Sequence, residues 1–383
     1  MDAPLYLDTA ATTPVRREVL EAMWPYLTGE FGNPSSHHGY GERAARAVQD
    51  ARTVVAGHLG CRASEVVFTS GGTEADNLAV KGIALGAPRG RHLVTSPIEH
   101  EAVLESIDYL CRVHSFEVTV LSVDRDGLVD AEELTSVLRA DTSLVSIQHA
   151  SNEIGTVQPI RELAAMARAR GVPFHTDAVQ SAGALEVGLR ALGVDAVSIA
   201  GHKIGAPKGV GALAVRGPLE LEPVLHGGGQ ERGRRSGTEN VAGIVGLATA
   251  LAAARAEAQT GAELASVRDA LIDGVLARVP DAVLTGSRAE RLPNHASFCF
   301  PGTSGEAVLL ELEGRGIACS SGSACAAGSD DPSPVLLALG IEPAVAQTAV
   351  RFTLPGGFTP EQASVVVEQL ARAVATVSTL HTR

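Results

Sequence analysis

Short, mostly apolar runs recur through the first part of the chain, at 66–69, 93–95, 118–121, 144–147, 172–175, 197–199 and 211–215. Runs of this length predict strands, and their apolar continuity predicts burial on both faces. Amphipathic helical patterns lie between most of them, for example at 101–114 and 160–170. Strands that alternate with helices predict an α/β fold with a mostly parallel, seven-stranded sheet covered on both faces. Ligands in such sheets sit at the carboxyl ends of the strands. Short polar motifs follow several of the runs, which is where a site belongs.

The pattern changes at Asn240. An alanine-rich stretch to about Val279 predicts one or two long helices. Strands follow near 282–284 and 296–300, a helix near 306–313, a strand near 349–354 and a closing helix from Thr359. This is the pattern of a smaller α+β domain, and the segment 5–8 is expected to pack near it. The chain thus divides into a large domain, 15–258, and a small one made of 1–14 and 259–383. Thr13-Pro14 reads as the cap and first-turn proline of a helix running through Leu27.

Composition narrows the function. The net charge is −13, which argues against a nucleic-acid-binding surface. No apolar run approaches the ~20 residues that span a bilayer. The N-terminus has no basic region of the secretory kind, so a cytoplasmic location is expected. Five cysteines, an odd number, do not make a disulfide framework. No Cys-x-x-Cys pair or His/Cys cluster has zinc spacing, so no metal is expected. Cys61, Cys111, Cys299 and Cys319 sit in or beside apolar segments and read as core thiols.

Only three of the 31 basic residues are lysines. Lys203 follows the apolar run 194–200 and precedes a glycine- and proline-rich turn. A lysine at the end of a core strand is costly unless neutralised, and a Schiff base neutralises it. Lys203 is therefore the first candidate to hold an aldehyde cofactor, with Lys208 its close rival. Ser70-Gly71-Gly72-Thr73 follows a strand and opens a helix, where backbone amides and the Thr73 hydroxyl suit a phosphate; a plain helix cap reads the same way. Asp177 ends another strand, where a carboxylate either pairs with a pyridinium N–H or caps a helix. His100 follows a third strand, as a ring-facing residue or a structural one. Cys325 lies in a run of Gly, Ser and Ala without periodicity, which predicts a mobile loop; its exposed thiol reads either as a nucleophile or as a bystander. In order along one sheet, phosphate cup, ring-facing histidine, carboxylate and lysine point to pyridoxal 5′-phosphate (PLP).

Longer motifs make this specific: Tyr6-Leu7-Asp8-Thr9-Ala10-Ala11-Thr12-Thr13-Pro14, Phe31-Gly32-Asn33-Pro34-Ser35-Ser36, Phe68-Thr69-Ser70-Gly71-Gly72-Thr73-Glu74, Asn152-Glu153-Ile154-Gly155, His202-Lys203, Arg235-Ser236-Gly237-Thr238-Glu239-Asn240, Ser321-Gly322-Ser323-Ala324-Cys325 and Val350-Arg351-Phe352. Over nearly its whole length the chain resembles the group I, NifS/IscS-like cysteine desulfurases, class-V aminotransferases of PLP fold type I. The resemblance implies a homodimer that converts L-cysteine to L-alanine and leaves the sulfur as a persulfide on Cys325. A sulfur-acceptor protein would then receive it for iron–sulfur cluster assembly or thio-modification. By motif, Lys203 holds the cofactor and acts as general base. His100 stacks on the ring and exchanges protons with substrate, Asp177 pairs with the ring nitrogen, and Gln180 reaches the ring oxygen. Gly72, Thr73 and His202 hold the phosphate, with Thr238 arriving from the other subunit. Asn152 and Arg351 bind the substrate carboxylate.

Two departures stand out. Where the family commonly has a phosphate-binding serine, two residues before the His-Lys pair, this chain has Ala200. A hydrogen bond to a charged group contributes roughly 1.5–3 kcal/mol, so weaker PLP retention is expected. The sequence also stops just past its last predicted helix, without the C-terminal extension by which some relatives dock an iron–sulfur scaffold, which puts that partner in doubt.

Overall fold

The structure is a computed structural model that describes residues 4–86, 88–257, 261–322 and 331–381. A short strand, β1 (Leu5–Tyr6), comes first. Seven strands then build the main sheet: β2 (Val66–Thr69), β3 (His92–Thr95), β4 (Glu117–Val120), β5 (Thr142–Ser146), β6 (Phe174–Asp177), β7 (Ala196–Ala200) and β8 (Gly211–Val215). Their order across the sheet is β2-β8-β7-β6-β5-β3-β4. β8 runs antiparallel to both neighbours, and every other pairing is parallel. Six strands therefore bring their carboxyl ends to one edge. The architecture is the predicted α/β class with a mostly parallel seven-stranded sheet.

The apolar runs are explained by helices on both faces. Val66 and Phe68 join one core with the helices Gly39–His58 and Val241–Glu257, while Val67 joins another with Gly72–Gly86 and Glu101–His114. Two-sided burial removes the alternation that a half-exposed strand would show. β4 is the outer edge, and there Val118 and Val120 are 38% and 49% exposed.

The rest of the chain makes a second core around β9 (Val283–Leu284), β10 (His295–Cys299), β11 (Ile317–Ala318) and β12 (Ala349–Thr353). β12, β10 and β9 form an antiparallel sheet, against which Gly261–Arg278, Gly305–Gly314 and Pro360–His381 pack. Phe298, Phe300 and Phe352 fill its centre. β1 pairs in parallel with β11, and Leu7 is buried in this core. From Asp8 the chain crosses to the carboxyl edge of the main sheet.

The expected helix start is corrected here. The first helix is Arg17–Thr28, and Arg16 caps it without a side-chain hydrogen bond. Thr13 is used elsewhere: its hydroxyl donates to the His202 carbonyl at 2.9 Å and accepts from the Gly205 amide at 2.9 Å. The threonine ties the N-terminal segment to the turn around Lys203 rather than capping a helix. Among the described residues no single helix is long and apolar enough to cross a membrane.

Candidate active site

The loops after β2, β3, β5, β6 and β7 meet around a cavity of about 170 Å³. Gly72, Thr73, His100, Asn152, Asp177, Gln180, His202 and Lys203 all line it, with Ala200, Asp76 and Gln148 between them. Eight of the residues named from sequence thus share one pocket at the edge where a parallel sheet binds its ligand.

The phosphate cup begins where β2 gives way to the helix Gly72–Gly86. Leading amides of a helix have no intrahelical acceptor and favour an anion. Glycine is required at position 72, since a Cβ there would fall 2.7 Å from Val179 Cγ2 and 3.4 Å from the Ala200 Cβ. The cup is braced by Glu74, which accepts from the Ser70 amide at 2.7 Å and pairs with Arg235 at 2.7 Å. Burial opposes its charge, but Arg235 and Ser70 win and hold the carboxyl below its ordinary range.

His202 faces the cup from the turn Gly201–Lys203, its Nδ1 3.2 Å from the Thr12 hydroxyl. Burial, with Lys203 and Lys208 nearby, lowers it to about 4, so it is neutral at physiological pH. Lys203 donates to the carbonyls of Ala10 and Ala11, the latter at 2.9 Å. Gln180 donates to the Ala10 carbonyl at 3.1 Å. His100 caps the helix Glu101–His114, and its Nδ1 accepts from the Ala102 amide at 3.0 Å. That bond puts the proton of the neutral ring on Nε2.

Asp177 closes β6, buried, with Oδ1 accepting from the Val179 amide at 2.8 Å. Burial raises its pKa, while His100, the Val179 amide and Lys203 pull the other way. Two further buried carboxyls share its field. Glu99 accepts from the Gln148 amide at 2.8 Å and from the Ser96 hydroxyl, and burial pushes it up to about 8. Asp76 is raised well above the usual carboxylate range by burial and by Asp177. Its Oδ1 has no hydrogen-bond partner among the described residues. Sequence reasoning missed both groups, although each is adjacent to a motif residue. The usable signal was an acid on the apolar side of its helix, between Ala75 and Leu78.

Arg351, in β12, stands beside the cavity rather than in its wall. It is 1% exposed, and its Nη1 donates to the carbonyl of Asn152, a lining residue, at 2.9 Å. Thr238 is exposed and does not line the cavity within this chain. Cys325 lies outside the described residues. Burial pushes Cys61, Cys299 and Cys319 up to about 12 and raises Cys111 as well, so these thiols are poor nucleophiles.

The pocket fits PLP by its chemistry. The cup and Thr73 suit a phosphate, the Asp177 carboxylate a protonated ring nitrogen, the His100 ring a stacked aromatic, and Lys203 an aldehyde.

The comparisons agree with that chemistry. The family model for class-V aminotransferases matches residues 5–362, and the chain belongs to this family of PLP-dependent enzymes. Its curated relatives are more particular. A protein of Dictyoglomus turgidum named cysteine desulfurase IscS is 45% identical over 99% of this chain and 97% of its own length. One of the same name from Methanosarcina thermophila is 45% identical over 97% and 92%. Among solved structures, a NifS-like protein superposes with a TM-score of 0.90 at 37% identity, covering 97% of this chain and 100% of that one. SspA in complex with cysteine gives 0.80 at 37% identity, covering 92% and 99%.

Proposed function

We propose that this chain is a PLP-dependent cysteine desulfurase, converting L-cysteine to L-alanine and leaving the sulfur on Cys325 as a persulfide. The observation that carries the reading is the single cavity in which phosphate cup, ring-facing histidine, buried aspartate and lysine converge. PLP bound there supplies an electron sink for the substrate α-carbon.

The protein residues do the rest. Gly72, Thr73 and His202 hold the phosphate, with Thr238 contributed by the second subunit of a homodimer. Asp177 keeps the ring nitrogen protonated, and Gln180 reaches the ring oxygen. Arg351 and Asn152 orient the substrate carboxylate. The Lys203 amine removes and returns a proton at the α-carbon, acting as general base and acid. His100, protonated on Nε2, exchanges protons with the substrate thiol and the product. The Cys325 thiolate takes the sulfur, so that one L-cysteine and one enzyme thiol become one L-alanine and one persulfide. The terminal sulfur passes to an acceptor protein serving iron–sulfur cluster assembly or thio-modification, in the cytoplasm.

The test is sulfur bookkeeping on the purified enzyme. One turnover of L-cysteine should yield one alanine and one added sulfur on the peptide containing Cys325. Cys325→Ser should still bind cysteine while releasing almost no alanine. Near-normal alanine production by that variant would count against the persulfide route and favour a lyase without a cysteine nucleophile.

A further inference from the structure

We propose that Asp8 is a positioning residue for the substrate carboxylate: it holds the Arg351 guanidinium in the orientation that leaves its Nε edge open. The proposal rests on the reading of Arg351 as the carboxylate anchor.

Arg351 Nη1 donates to the carbonyls of Asn152 at 2.9 Å and Gly322 at 3.3 Å. Nη2 donates to Asp8 Oδ1 at 2.7 Å. Nε, buried with the rest of the side chain, has no partner among the described residues. Nε–H, beside Nη2, is one half of the parallel pair by which a guanidinium receives a carboxylate. A buried donor left unmade is costly, so this open edge marks where an acceptor belongs. Asp8 is the only carboxylate in ion-pair contact with Arg351 among the described residues. Without it, no ion pair to a described residue fixes the plane of the guanidinium.

Asp8 can do this because its segment is pinned along its length. The Tyr6 hydroxyl lies 3.0 Å from both the Asp8 and the Thr12 carbonyl and shares its one hydrogen between them. The Ala10 amide donates to the Thr353 hydroxyl at 2.9 Å, two residues along the strand from Arg351. Ala10 and Ala11 then accept from Lys203. One strap therefore touches both the carboxylate anchor and the amine. An α-amino acid carries its two charged groups on one carbon, so the reaction needs those two contacts at a fixed spacing.

The test uses the PLP-loaded enzyme and asks how strongly it prefers a free carboxylate. The ratio of kcat/KM for L-cysteine to that for its methyl ester is measured in wild type, Asp8→Ala, Asp8→Asn and Arg351→Lys. Calorimetric affinity for L-alanine against L-alaninamide gives the same preference without turnover. Asp8→Ala should lower both preferences roughly tenfold or more, the scale of one charge-assisted hydrogen bond, chiefly through KM. Asp8→Asn keeps an accepting oxygen and should retain the larger part. Equal losses for acid and ester would mean a merely structural role and overturn the proposal. So would unchanged preferences in both Asp8 variants alongside a reduced one in Arg351→Lys. If Arg351→Lys also keeps its preference, the anchor reading itself fails, and the proposal falls with it.

Discussion

Ala200 offers a gain-of-function test of the phosphate cup. It is the last residue of β7, 1% exposed, and it lines the cavity beside Gly72. Its Cβ lies 3.4 Å from where a Cβ on Gly72 would stand, so a hydroxyl at position 200 emerges against the first turn of the cup. Ala200→Ser adds one donor there. A hydrogen bond to a charged group contributes roughly 1.5–3 kcal/mol, or about a 10- to 100-fold change in affinity. In the unliganded enzyme the hydroxyl faces an open polar cavity, where water serves as partner, so the substitution should leave thermal stability nearly unchanged. Spectral titration of the apoenzyme with PLP should show the dissociation constant falling at least tenfold. Inorganic phosphate, used as a competitor, should be bound more tightly too, which separates the cup from the ring and the lysine. A serine variant that melts like wild type but holds PLP and phosphate no better would refute the reasoning. It would mean that the cup is already saturated by amides, Thr73 and His202.

Three further outcomes are expected. Borohydride reduction of the yellow holoenzyme should fix the cofactor on the Lys203 peptide, as read by mass mapping; a label on Lys208 or Lys81 would move the site. Burial raises Glu99 to about 8, and raises Asp76 and Asp177 too, so the folded apoenzyme binds protons more tightly than the unfolded chain. The Glu99 contribution is full below about pH 4 and is lost as pH rises through about 8, with Asp76 and Asp177 acting in the same direction; urea unfolding across this range should show the decline, and Glu99→Gln should flatten it. Glu231 pairs with Arg52 at 2.6 Å, both buried, and also accepts from the Phe68 amide at 3.0 Å. Glu231→Ala should therefore cost about 3–5 kcal/mol in chemical denaturation, and a loss below ~1 kcal/mol would show that the pair relaxes into water.

The main sheet was legible because a strand covered on both faces, as six of the seven are, sits in a mostly apolar run; the exposed edge strand β4 stood out instead by its alternating Val and Thr between helical patterns. The lysine was legible for the converse reason, as a charge placed where β7 ends. What stayed hidden depends on residues far apart in sequence. Thr13-Pro14 has the form of a helix cap, and only the approach of His202 and Gly205 shows the hydroxyl in other use. Asp8 and Arg351 are 343 residues apart and meet only because β1 joins the second core. Asp76 and Glu99 look in sequence like ordinary acids, one just past the first turn of a helix and one at the threshold of the next. Asp76 carries one local sign, its place on the apolar side of its helix between Ala75 and Leu78; the burial of Glu99 follows from packing of helices and strands distant in sequence.

That burial has a consequence for the charge of the site. Asp76 and Asp177 line one pocket and Glu99 lies behind it within reach of both charges; the three repel one another, and a low-dielectric interior does not hold three neighbouring anions. Their surroundings are unequal. Asp177 has the Val179 amide and two basic neighbours, Lys203 and His100, lowering its pKa against burial. Asp76 Oδ1 accepts no hydrogen bond among the described residues, with His175 Nε2 3.7 Å away, and the group is pushed up by burial and then by the Asp177 charge. Glu99, with Ser96 and the Gln148 amide, is still held at about 8. Protons therefore settle first on Asp76 and Glu99, and Asp177 is the carboxyl best supported as an anion. A ring nitrogen placed against Asp177 would add the strongest support of all, because it carries a positive charge. Cofactor binding and the ionisation of Asp177 then favour each other, and the two neutral acids keep competing negative charge off the same wall.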